Sequence, residues 1–251
     1  MVRTLLVRGL LVGLLAGFVA GAFAFFVGEP RVDAAIALEE AGAASAGEAG
    51  HGHAEEGGHS HGDEVVVSRP VQKAGLFLAT GLYGLAVGGI FALVYAGVRG
   101  RVGPRDDGLL AVVSAGVAFL AVILVPFLKY PANPPAVGNP ETINGRTALY
   151  VVMVLVGLAA TVIAVGTARR VDSGPWQRWA AAVAAFLVPV IAAWLLLPAI
   201  NEVPDGFPAT LLWEFRMASL GTQLVFWAAF GVLFGWVTDR AARRPATAAA
   251  G

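Results

Sequence analysis

The sequence predicts an all-α integral membrane protein, a single membrane domain over residues 1–251 with six transmembrane helices in three hairpins and a His-rich outer loop. Three observations carry this. Apolar residues make up 57% of the chain and charged residues only 14%, against roughly 25% charged in a soluble domain. Six apolar runs recur, at 5–27, 71–98, 109–128, 148–168, 176–197 and 218–237, each near the length of about 20 residues that crosses a bilayer. Lipid offers the backbone no hydrogen-bond partners, so each run must satisfy its own and is a helix.

The first run has features of a cleaved leader. Arg3 and Arg8 precede or enter it, and Ala22-Phe23-Ala24 resembles a signal-peptidase site. Its apolar stretch nevertheless continues to Val27. Gly9, Gly13, Gly17 and Gly21 also recur every fourth residue, which lines one helix face for close approach by another backbone. A discarded peptide has no use for such a face, so this helix is expected to be retained.

Residues 28–70 form the longest polar stretch and are read as an extracytoplasmic, acidic and His-rich loop. Its start, GEPRVDAAIALEE, is rich in helix formers, with Pro30 suited to a first turn. If helical, Glu29, Asp33, Ile36 and Glu40 share one side; an ordinary solvated face is the alternative. Further on, HGHAEEGGHSH holds every histidine of the chain: His51, His53, His59 and His61. Residues two apart diverge on a helix but share a face in an extended strand, and the surrounding glycines disfavour helix. Each pair can therefore chelate in a flexible loop, with Glu55, Glu56 and Asp63 as carboxylate donors. Imidazole with carboxylate and no thiolate suits cobalt, nickel, zinc or copper(II), and fits calcium or magnesium poorly. A solvated linker of biased composition is the alternative.

The second helix carries Gly75, Gly81, Gly84, Gly88 and Gly89, another surface for close packing. The second outer segment, VPFLKYPANPPAVGNPETINGRT, contains Asn133, Glu141 and Arg146. The third, LLLPAINEVPDGFPATLLWEFR, contains Glu202, Asp205, Glu214 and Arg216. Each outer segment thus ends in an arginine at the mouth of a returning helix. Arg69, Arg146 and Arg216 are expected to pair with carboxylates such as Glu29, Glu141 and Glu214, and these residues with Asp33, Glu40 and Asn133 are the structural or pathway candidates.

Orientation follows from the cations. Arg3, Arg8, Arg99, Arg101, Arg105, Arg169, Arg170, Arg178, Arg240, Arg243 and Arg244 fall on one side, and Arg31, Arg69, Lys73, Lys129, Arg146 and Arg216 on the other. The richer side should be cytoplasmic, with both termini. Only Asp106, Asp107, Asp172 and Asp239 among the acids join it. The rest lie outside with the histidines, where an acidic surface concentrates cations.

What the helices lack narrows the function. No Asp, Glu or His occupies an apolar centre, where a proton-coupled pump usually carries one. No helix offers a histidine to haem, and no P-loop motif appears. The absence of cysteine removes thiolate chemistry. Mid-membrane polarity comes from Tyr83, Tyr95, Ser114 and Thr161, with Gln223 nearer the outer end. An enzyme is not expected, nor a permanently bound cofactor, nor a nucleic-acid partner; a homo-oligomer is left open.

GEPRVDAAIALEE, HGHAEEGGHSH, VSRPVQKAGLF and VPFLKYPANPPAVGNPETINGRTALY together resemble the CbtA family of predicted bacterial cobalt transporter subunits. The likeness covers nearly the whole chain and is most specific at Glu29-Pro30, at Ser68, Arg69 and Gln72, and from Phe127 to Thr147. The resemblance implies a multi-pass protein of the bacterial cytoplasmic (inner) membrane that takes up cobalt for cobalamin supply. It also implies a short, single-span, His-rich companion, CbtB. The family is described with about five spans, against six counted here; the difference would lie at 5–27 or 176–197. The reading is uptake of a divalent transition metal, cobalt first, captured by the outer His and acidic residues. The alternative is a metal-binding accessory or sensor that scaffolds a separate permease.

Overall fold

Helix α1 (Val2–Phe23) does not stop where its apolar run ends. It passes through one wide π turn, Ala24–Gly28, into α2 (Glu29–Glu48). In the computed structural model, which describes residues 2–48, 68–135 and 137–243, the start of the segment read as an outer loop is therefore helix. Its Ala-, Leu- and Glu-rich sequence favours that outcome. Pro30 lacks an N–H and its ring crowds the carbonyl four residues back, at Phe26; the widened turn lies at that place.

The same device recurs. α4 (Asp107–Ala118) leads through a π turn at Phe119–Leu124 into α5 (Val125–Lys129). Here Pro126 crowds the carbonyl of Val122, again inside the widened turn. The remaining helices are α3 (Arg69–Val98), α6 (Ile143–Arg170), entered through a 3-10 turn at Pro140–Thr142, α7 (Pro175–Leu196) and α8 (Ala209–Ala242). Among the described residues there is no strand, and six helical stretches are long and apolar enough to span a bilayer: Val2–Gly42, Arg69–Val98, Asp107–Lys129, Pro140–Arg170, Pro175–Leu196 and Ala209–Ala242.

The first two spans cross at backbone contact. A Cβ on Gly13 would lie 2.9 Å from the carbonyl carbon of Gly84, and one on Gly84 2.9 Å from that of Gly13. Gly9 meets Gly88 in the same way, and Gly17 meets Thr80. Without side chains the backbones interlock and gain dispersion contact, the main attraction between helices in lipid. Gly75 stands outside this seam, with nothing near its missing Cβ.

α8 fills the centre. Phe226, Phe230 and Phe234 stack along it, with ring centroids 6.0 and 5.5 Å apart. Phe91 of α3 meets Phe230 edge-on at 4.9 Å, and Tyr95 meets Phe234 at 5.3 Å. Edge-to-face pairs of this kind are favoured by the ring quadrupole. On its other flank α8 packs against α4 through Gly231 and Gly235, facing Ala115 and Gly108.

This placement corrects the expected third hairpin. α7 and α8 follow one another in sequence, yet α8 packs on α1 and α4 while α7 packs on α6. α7 has no buried residue. The aromatic and glycine faces of α8 find complementary faces on α3 and α4. Lys129 Nζ donates to the Trp194 carbonyl and Tyr130 Oη to that of Pro198, both at 2.8 Å, so the end of α7 is tied to the end of α5.

Candidate functional site

Thr4, Arg8, Arg99, Thr238 and Ala241 surround one small recess. The described ends of the chain and the turn after α3 therefore lie at one end of the bundle. There Arg99 Nε donates to Asp107 at 2.7 Å and Tyr95 Oη to the Asp107 carbonyl at 2.8 Å. The hydrogen bond that Arg99 donates to Asp107, and the charge of that carboxylate, hold the Arg99 guanidinium above its ordinary pKa.

The opposite end is built differently. The proline-rich segments 130–135, 137–142 and 198–208 lie at the mouths of α5, α6 and α8 and help to line an open cavity of about 600 Å³. Its base includes Ile123 of the second π turn and Gln223, whose side-chain oxygen accepts from Tyr83 Oη at 3.0 Å. Its charged lining consists of Arg146, Glu202 and Arg216, and its polar lining includes Tyr130, Asn133, Tyr150 and Asn201.

The three arginines at helix mouths have three kinds of partner. Arg69 Nη2 lies 2.7 Å from Glu29 and 2.5 Å from Asp33, and Lys73 lies 2.6 Å from Asp33. Two acids of the α2 stripe are thus held by α3, while Glu40 remains exposed. Arg146 reaches Glu202 at 3.4 Å and donates to the Asn139 carbonyl at 3.3 Å. Its expected neighbour Glu141 instead uses its backbone N–H to meet Asn139 Oδ1. Arg216 does not pair with Glu214. Glu214 lies 3.4 Å from Arg31, whereas Arg216 donates to the Ala132 carbonyl at 3.3 Å and to Asn133 Oδ1 at 2.9 Å. Residues two apart on a helix point in divergent directions, so Glu214 turns towards α2 and Arg216 towards the cavity.

Glu202 organises the cavity rim. It accepts from the backbone N–H of Asn139 at 2.9 Å. A hydrogen bond accepted from the Thr142 hydroxyl, that backbone bond and the Arg146 charge hold its carboxyl below the usual range. Arg146 Nε is buried without a hydrogen-bond partner. Glu202, Tyr83, Tyr150 and Asn201 were not site candidates in the sequence. The Arg146–Glu202 pair joins segments 56 positions apart, and only the presence of an acid in a proline-rich turn could have drawn attention to it.

His51, His53, His59, His61, Glu55, Glu56 and Asp63 lie outside the described residues. Among the described residues, no group of three or more His, Asp or Glu side chains is placed to hold a metal ion. A family model described as probable cobalt transporter subunit (CbtA) matches residues 2–239. No curated protein and no solved structure matches the chain.

Proposed function

The chain belongs to the CbtA family of probable cobalt transporter subunits, and from that membership we propose that it is a membrane subunit for uptake of a divalent transition metal, cobalt first, with nickel and zinc fitting the same donors. The observation that carries this reading is the family match itself, which runs through all six membrane-length helices. In this reading the protein lies in the bacterial cytoplasmic membrane with both termini inside, as the cation distribution favours. The cavity end then faces outward, on the same side of the membrane as the His and acidic residues of 51–63, which gather the ion. Being a subunit, it works with a further chain, for which a short single-span His-rich protein is the proposed partner.

One observation favours the second reading, a metal-binding scaffold for a separate permease. The space between α3 and α8 is filled by aromatic rings, leaving a permeation route to another interface or another chain. Uptake of radioactive cobalt into vesicles, with this chain alone, the companion alone and both together, separates the two. Uptake needing both chains and nothing else supports the transport role. Cobalt binding without uptake in any combination supports the scaffold. Cysteine labelling adds the orientation: residues 55 and 103 reacting from the same face would sink the six-span topology.

A further inference from the structure

The cavity at the outward end is lined by two guanidinium groups and one carboxylate, a net positive charge where a site for a bare divalent cation needs a negative one. Glu202 is shared between Arg146, at 3.4 Å, and the Asn139 backbone. Arg216 has no carboxylate partner among the described residues; it is held by the Ala132 carbonyl and Asn133 alone. A planar guanidinium fixed by neutral acceptors, with donor capacity left over, matches a carboxylate in two-pronged geometry. Arg146 is the second guanidinium in the lining, held at 3.4 Å from Glu202 and by the Asn139 carbonyl. Asn201, Tyr130 and Tyr150 add neutral polar groups around them. The volume of about 600 Å³ is that of a site for a small organic molecule and far exceeds a single ion.

We infer that this cavity binds a small organic polycarboxylate, with Arg216 and Arg146 as the anion-binding pair, and that the metal enters it as the anionic chelate of that acid. The first half rests on the cavity alone. The second rests on the uptake reading above. Glu202 competes with the ligand for Arg146 and so limits affinity.

Citrate is a suitable probe. Full-length protein in phosphatidylcholine nanodiscs is titrated calorimetrically with citrate, with cobalt–citrate at equimolar metal, and with cobalt chloride, each also on the His51, His53, His59 and His61 to Asn background to remove loop binding. Citrate and cobalt–citrate should bind on both backgrounds. Arg216→Gln should weaken both by about tenfold or more, the usual scale for a lost charge-assisted bond. Glu202→Gln should tighten them several-fold, a gain that a merely damaged fold cannot give. No citrate binding by the wild type, or a loss rather than a gain with Glu202→Gln, overturns the inference. So does binding that disappears in phosphatidylglycerol nanodiscs, which would assign the site to a lipid headgroup. Vesicle uptake separates the two halves. Cobalt uptake unaffected by citrate and by Arg216→Gln removes the chelate and leaves the uptake reading intact. Citrate binding without cobalt uptake does the reverse.

Discussion

Arg69 Nη2 stands 2.7 Å from Glu29 Oε2, across 40 positions of sequence. The bond fastens the first turn of α3 to the first turn of α2, and Asp33 and Lys73 extend it to four charges. Exposed ion pairs contribute about 1 kcal/mol or less, and breaking buried ones costs roughly 3–5. Glu29 is 14% exposed and Arg69 31%, between these limits. Arg69→Ala should therefore destabilise the protein by about 1–3 kcal/mol. A double-mutant cycle with Glu29→Ala, read as thermal unfolding in detergent, should show the two losses overlapping. Fully additive losses would mean that the pair does not hold the helices together.

The seam of α1 and α3 has no room for a methyl group. Gly13→Ala should force the backbones apart, at about 1–3 kcal/mol for overpacking, with lower folded yield. Gly75→Ala, on the same α3, meets nothing within 4 Å and should be neutral or stabilising by up to about 1 kcal/mol through helix propensity. Equal melting temperatures for the two variants would refute the close crossing.

Glu202 gives the cavity rim an acid sensitivity. Its carboxyl is held below the usual range in the folded protein. The stability it contributes is then fully present above the unfolded value of about 4.3 and is lost as pH falls through the lower folded value. Melting curves between about pH 7 and 3 should show Glu202→Gln less stable than the wild type in the neutral region and converging with it at the acid end, so that the variant's acid limb is flatter. An acid limb identical to the wild type would separate Glu202 from rim stability.

The proposed His capture makes a different pH demand. A metal-bound imidazole must be neutral, and its free pKa is about 6.5. Capture should weaken as pH falls from about 7.5 to 5.5, with protons released on binding near neutrality. Replacing His51, His53, His59 and His61 together by Asn should raise the cobalt concentration for half-maximal uptake and affect the maximal rate less. Calorimetry on the 45–66 peptide and on the whole protein supplies the direct check. Unchanged binding of cobalt, nickel and zinc in both would reduce the loop to a polar linker.

The tertiary structure did not treat the three arginines alike, though each looked equivalent in its segment. Arg69 found the acid expected beside it, because α2 continues the rod of α1 and brings Glu29 to the start of α3. Arg146 bypassed Glu141 for Glu202, and Arg216 turned from Glu214 into a cavity. A partner's identity depends on which surface each helix presents, and the arginine itself carries no record of that.

The sequence by itself determined the helices, because hydropathy and backbone hydrogen bonding are settled within each run of about 20 residues. It also determined the α1 face, since a glycine every fourth residue is a local pattern with one geometric meaning; on α3 the glycines are less regular, and the structure put Gly84 and Gly88 in the seam and Gly75 outside it. It did not determine which neighbour each helix chose. In lipid every apolar surface is equally at home, so association is decided by shape. Only the folded structure placed the aromatic ladder of α8 against Phe91 and Tyr95, left α7 on the outside, and gathered Arg146, Glu202 and Arg216 from distant segments around one cavity.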